Sequence, residues 1–170
     1  MRLISNQGSL IFRKAAAMKA LTLILLIFLP AGREAKIFDR CQLASALKSN
    51  GMDRYYGIHL DDWICLVHHG SGFDSKSVTS RKNGKIKFFG IFQISSQWWC
   101  KRNQGYSANR CKMPCSAFID DDLGDDIACA KKIVLDRQKM NAWEDWQVNC
   151  KGKNISRWTS DCKFDFYDSG

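Results

Sequence analysis

Apolar and polar positions along this 170-residue chain fall into stretches of different period. An uninterrupted apolar run, Ala20 to Leu29, comes first. Beyond it, Leu43, Ala46 and Leu47 recur at helical spacing and Gly51 offers a stop, which predicts a helix over Cys41 to Lys48. Asp61 and Asp62 precede Trp63 to Val67, the pattern of a second helix with an acidic first turn. The segment Val78 to Gln93 differs in character. It holds Asn83-Gly84, a hairpin turn signal, followed by Ile86, Phe88, Ile91 and Phe92. Asp125 and Asp126 open a third helix, with Ile127, Ala130, Ile133 and Val134 on one face. Asn141 to Cys150, carrying Trp143 and Trp146, predicts a fourth. Helices with one small hairpin region give an α+β class.

The first apolar run is too short to span a bilayer, which takes about 20 apolar residues. Arg13, Lys14 and Lys19 precede it and Ala31, Gly32 and Ala35 follow, the pattern of a secretory signal peptide. Residues 1–35 are expected to be removed by a cut after Ala35, with Met18 an alternative start, leaving residues 36–170 as a single domain. Eight cysteines, Cys41, Cys65, Cys100, Cys111, Cys115, Cys129, Cys150 and Cys162, all lie beyond the leader. An even number in an exported chain implies four disulfides, although spacing alone does not say which pairs form. Over residues 36–170, Lys and Arg outnumber Asp and Glu by 21 to 16, a net charge of +5 against +9 for the whole chain. Such a charge suits bacterial envelopes, anionic glycans or cell surfaces and does not choose among them. No run of Lys and Arg interleaved with aromatics is present, which argues against nucleic acid.

The cysteines follow one another at intervals of 24, 35, 11, 4, 14, 21 and 12 residues. They are accompanied by Lys36-Ile-Phe-Asp-Arg-Cys41, Gly90-Ile-Phe-Gln-Ile-Ser95, Trp98-Trp99-Cys100 and Met140-Asn-Ala-Trp143. In all of this the chain closely resembles the C-type lysozyme and α-lactalbumin family of glycoside hydrolases, over essentially the whole of residues 36–170. The resemblance implies a lysozyme-like fold, a helical lobe and a small antiparallel β lobe flanking a sugar-binding cleft. It also implies the pairing Cys41–Cys162, Cys65–Cys150, Cys100–Cys115 and Cys111–Cys129.

A retaining glycosidase needs two carboxyl groups about 5–5.5 Å apart, one protonated to donate to the leaving oxygen and one ionised to stabilise the positively charged sugar. In lysozymes the acid is a Glu just after the second helix's Cys, within Glu-Ser-Gly. Here the stretch reads His68-His69-Gly70-Ser71-Gly72, so Gly70 stands at the acid position. The second carboxylate is normally an Asp two residues before the Gly of the GIFQ segment, and Phe88 stands there. Neither residue ionises, and loss of acid–base help alone costs about 10²–10⁴ in rate. The expectation is a protein without muramidase activity. His68, His69 and Asp74 are the groups that could substitute, and Glu144, the one Glu beyond residue 35, falls where the resemblance gives no catalytic role.

Sugar sites need flat apolar faces and a few polar groups. The resemblance places Gln93, Trp98, Trp99, Ala142 and Trp143 along the cleft. Trp63 and Trp146 are expected in the core. Trp98 and Trp99 are adjacent, so on an extended segment both cannot face one core and at least one is exposed, unless the chain turns there. Asp120-Asp121-Asp122-Leu-Gly-Asp125-Asp126 puts five carboxylates in seven residues, a mutual repulsion that a cation relieves, and Ca²⁺ takes six to eight oxygen ligands. The run resembles the calcium loop of α-lactalbumins and calcium-binding lysozymes. Carried over, Asp120, Asp125 and Asp126 give side-chain oxygens, while Ala117 and Asp122 give backbone carbonyls. Asn154-Ile-Ser156 is an N-glycosylation sequon.

The reading is a secreted, monomeric, calcium-binding lysozyme-like protein that binds glycans containing N-acetylglucosamine. By resemblance alone, a secretory-granule or acrosomal place and a cell-surface glycoprotein partner are open to it. Three competitors stand beside it. An α-lactalbumin-like modifier of a galactosyltransferase accords with His69-Gly70-Ser71-Gly72, but Ala142 leaves the cleft open where α-lactalbumins carry a bulky Tyr. The others are a lysozyme with relocated catalytic groups and a cationic membrane-active defence protein.

Overall fold

A computed structural model describes residues 36–164; the expected leader, its alternative start at Met18 and the cut after Ala35 lie outside the described residues. The first helix among the described residues is α1, Arg40–Ser49. Asp39 caps it, its side chain accepting from the backbone N–H groups of Cys41 and Gln42, and Leu43, Ala44 and Leu47 turn inward. Helix α2, Leu60–Gly70, opens on Asp61 and Asp62, buries Trp63 to Val67, and carries His68 and His69 in its last turn. The two carboxylates therefore stand at the helix end whose dipole favours them.

Strands β1, Val78–Arg81, and β2, Ile86–Phe89, form an antiparallel hairpin with Val78 opposite Phe89 and Arg81 opposite Ile86. The turn is where Asn83-Gly84 predicts it; Lys82, Asn83 and Gly84 all have positive φ, as the tight right-twisted connection requires. Strand β3, Ile94–Ser95, adds to β2. Strands β4, Cys100–Lys101, and β5, Met113–Pro114, pair parallel in a separate two-stranded ladder. A 3₁₀ turn, Cys115–Phe118, then leads through the acidic loop into helix α3, Gly124–Val134.

The last predicted helix is shorter than the pattern implies. A 3₁₀ turn, Lys139–Ala142, precedes α4, Glu144–Asn149, and Trp143 between them is extended. The break has a cause in the core. It sends the Trp143 indole inward, where Nε1 donates to the Phe92 carbonyl at 2.7 Å. Trp63, wholly buried, meets Phe92 and Trp143 edge-on and donates to the Met52 carbonyl. Trp146, expected in the core, is only half-buried, because its Nε1 reaches out to Asp62 at 2.9 Å.

Four disulfides join Cys41 to Cys162, Cys65 to Cys150, Cys100 to Cys115 and Cys111 to Cys129. The first two close loops of 121 and 85 residues and so remove the most entropy from the unfolded chain. The class is α+β, with the helices and the small sheets meeting along a groove. Among the described residues no helix is long and apolar enough to cross a membrane.

Candidate glycan cleft and acidic loop

Alternation along β2 puts Ile86 and Phe88 on one face, and with Arg81 they form one wall of a cavity of about 320 Å³. Trp98, Trp99 and Arg110 form the second wall. The third comes from the segment between α3 and α4, with Asp136, Gln138, Ala142 and Glu144. Trp98 is 47% exposed and Trp99 only 8%. The segment is not extended: the N–H groups of Trp98 and Trp99 both donate to the Ser95 carbonyl, and this turn lets both indoles reach the same cavity. The Arg110 guanidinium lies 5.4 Å from the Trp99 ring and pairs with Asp136 at 2.5 Å.

Two residues expected along the cleft do not line it. Gln93 is buried; its Nε2 donates to the carbonyls of Gly90 and Ser77 and its Oε1 accepts from Thr79, so no amide atom is left for a ligand. Trp143 is buried too, its N–H spent on Phe92. Trp98, Trp99 and Ala142 do line the cavity.

Gly70 ends α2, and Phe88 faces the cavity. A Cβ on Gly70 would lie 3.2 Å from Gln93 Cγ, a tight approach, and 3.8 Å from Asp145 Oδ2, an ordinary contact. The substitute groups named from the sequence point elsewhere. His68 stacks on Trp158 at 4.4 Å, with His69 edge-on to both rings. Burial holds both imidazoles below their usual range, reinforced by nearby positive groups. Asp74 caps the Lys76 N–H at 2.8 Å. None of the three lines the cavity.

The charged groups that do meet here were not legible in the sequence. Arg81 donates to Glu144 and, at 3.0 Å, to Asp145 Oδ1, while its guanidinium lies 5.2 Å over the Phe88 ring. The pairs are 63 and 64 residues apart in the chain. The one local hint is that Arg81 ends a strand of the same hairpin as Phe88.

In the acidic loop, Asp120 accepts from the Asp122 N–H and Asp122 from the Gly124 N–H. Asp121 turns away to Ser75 and Lys76. Asp126 is 1% exposed, and its Oδ1 has no hydrogen-bond partner. Burial, with Asp120 and Asp125 adding like charge, pushes its carboxyl up to about 8. Gly90 makes the close approach: a Cβ there would sit 1.9 Å from the Phe118 carbonyl oxygen and 2.6 Å from Asp126 Oδ1, at a φ of +70°. An orphaned buried carboxylate oxygen beside further oxygen donors fits a hard cation. The loop carboxylates do not form a cluster of three within 4.8 Å, so an ion requires them to turn inward. Ala117 lies in the 3₁₀ turn before the loop, half-buried. Asn154 is exposed, its Oδ1 accepting from the Ser156 hydroxyl.

Comparison with known proteins accords with this architecture. A family model described as the C-type lysozyme/alpha-lactalbumin family matches residues 36–162. The chain is 45% identical over 127 residues to the milk isozyme of lysozyme C from Canis lupus familiaris, covering 75% of this chain and 98% of that protein. It is 43% identical over 147 residues to lysozyme-like protein 2 of Homo sapiens, covering 86% and 99%. A crystal structure of canine milk lysozyme stabilised against non-enzymatic deamidation superposes with a TM-score of 0.73 at 44% identity, over 76% of this chain and all of that one. The chain belongs to the C-type lysozyme/alpha-lactalbumin family.

Proposed function

We propose that this protein is a secreted, calcium-binding member of the family that lacks muramidase activity and binds glycans containing N-acetylglucosamine in its cleft. One observation carries the reading. The cavity keeps an open indole, Trp98, and a polar wall, while its reacting end presents the Phe88 ring under a guanidinium where a glycosidase needs carboxyl groups. Secretion is supported by the leader pattern and the four disulfides. Calcium is supported by the Asp126 oxygen, with Asp120 and Asp125 supplying further carboxylates and Ala117 and Asp122 backbone carbonyls. The ion would stabilise the junction between the acidic loop and Gly90 and would take no part in chemistry.

Two assays test this. Clean protein should leave a bacterial cell-wall suspension turbid, and measurable clearing would overturn the inactive assignment. Chitin oligosaccharides should give a saturable change in tryptophan fluorescence; no change at millimolar sugar would overturn the glycan assignment.

A further inference from the structure

The Arg81 bridge spans the two walls of the groove. At one end the guanidinium rests over Phe88 on the β wall. At the other it grips Glu144 and Asp145 in the first turn of α4, and Asp145 Oδ2 lies 3.8 Å from where a Cβ on Gly70 would be. The bridge therefore crosses the space between positions 70 and 88. The cavity stops there. Its lining includes Arg81, Phe88 and Glu144 but neither Gly70, Gln93 nor Asp145, and from the clasp it continues on the side of Trp98, Trp99 and Gln138. Its volume of about 320 Å³ is at the bottom of the range of roughly 300–1,000 Å³ for small-molecule sites, which suits a short segment.

We infer that Arg81, clasped to Glu144 and Asp145, closes the groove at one end, so that the site receives the end of a glycan chain instead of a stretch from its middle. This rests on the glycan reading above and narrows it. A chain running through would have to break two ion pairs and displace the guanidinium from the Phe88 face. A short terminal segment stacks against Trp98 without touching the clasp. Arg81 is thus a specificity residue acting by exclusion, the means by which a site rejects a ligand it could otherwise hold. Asp136 already pairs with Arg110, and the clasp, one guanidinium against two carboxylates, has a net charge of −1, so neither calls for an anionic group on the ligand.

The test is the length dependence of binding, measured by calorimetry with chitin oligosaccharides from the dimer to the hexamer. In the natural protein, affinity should rise to the trimer and then change by less than about threefold. In Arg81→Ala the ratio of hexamer to trimer affinity should rise about tenfold. The double variant Glu144→Gln, Asp145→Asn frees the same guanidinium from the other wall and should show the same hexamer gain. Natural protein whose affinity climbs tenfold from trimer to hexamer overturns the closed end and leaves the glycan reading intact. Failure of every oligosaccharide to bind overturns the glycan reading and this inference together. Unchanged length dependence in both variants overturns the role of the clasp.

Discussion

Asp126→Asn should stabilise the protein without calcium and destabilise it with calcium, a change of sign that only a metal-dependent carboxylate produces. In the metal-free protein the Asp126 carboxyl is buried, lacks a partner for Oδ1, and has its pKa raised from 3.8 to about 8. A raised carboxyl pKa means that the native state holds a proton that the unfolded state has lost between those values. Stability from this group is therefore fully present below pH 3.8 and declines as pH rises toward about 8. At pH 7 the loss is about 4 kcal/mol. For a domain of this size about 3 °C of melting temperature accompanies each kcal/mol, roughly 12 °C in all. Asn cannot ionise, so the variant escapes this decline and should melt above the natural protein in EDTA at pH 7. Calcium at ten thousand times its dissociation constant adds about 5.5 kcal/mol to the natural protein, more than the deficit of about 4 kcal/mol it carries in EDTA. The variant, short of one charged ligand, gains far less, and the order reverses. Thermal melts by circular dichroism at pH 5 and pH 8, in EDTA and in calcium, read all four corners. If the two proteins keep the same order in EDTA and in calcium, the reasoning fails.

Other expectations follow from single contacts. Gly90→Ala should cost more than about 3 kcal/mol, because its Cβ would lie 1.9 Å from a backbone oxygen at positive φ; a melting temperature within a few degrees of the natural protein would refute the close approach. Trp98→Ala should abolish the sugar-induced fluorescence change and weaken binding at least tenfold while barely moving the melting temperature, since the indole is 47% exposed. Burial and the adjacent positive groups hold His68 and His69 neutral in the folded state at pH values where they charge in the unfolded one. Their contribution is thus fully present above the unfolded value of about 6.5 and is lost as pH falls through their lower folded values. Proton NMR titration should place both midpoints below that value, and a midpoint above it would contradict the stacking on Trp158.

The helices were legible because their signals are local. The Asp61-Asp62 pair and the helical spacing of Leu43 with Leu47 act within a turn or two of where they stand. The hairpin turn was legible for the same reason: Asn and Gly tolerate positive φ. Burial direction was not. Whether Gln93 faces a ligand or the backbone depends on Ser77, Gly90 and Thr79, and residue type alone does not distinguish the two. Trp143 was misjudged likewise, because one residue of extended backbone turns its indole into the core and shortens the following helix. The Arg81 clasp lay furthest from view. Ion pairs between residues 63 and 64 positions apart carry no periodicity, and Arg, Glu and Asp on a surface are usually solvated.

Asp145 raises the question of whether the acid has merely moved, since its Oδ2 lies near the place an acid at position 70 would occupy. Its partner argues against this. Asp145 does not line the cavity, and its Oδ1 is held by the Arg81 guanidinium at 3.0 Å, so it does not face the place of a leaving oxygen. The same guanidinium opposes the reaction in another way. With Glu144 and Asp145 it carries one positive charge against two negative, so it opposes by bulk: it crosses the space between positions 70 and 88 that a sugar has to occupy to be cleaved there. Three features therefore act together: no acid at Gly70, no stabilising carboxylate at Phe88, and a cation clasped between them. Restoring the two carboxylates alone leaves the third in place. Gly70→Glu with Phe88→Asp should be less active on a chitin hexamer than the triple variant that also carries Arg81→Ala. Equal rates for the double and the triple variant would show that the guanidinium swings clear of the reacting sugar and that the clasp imposes no barrier.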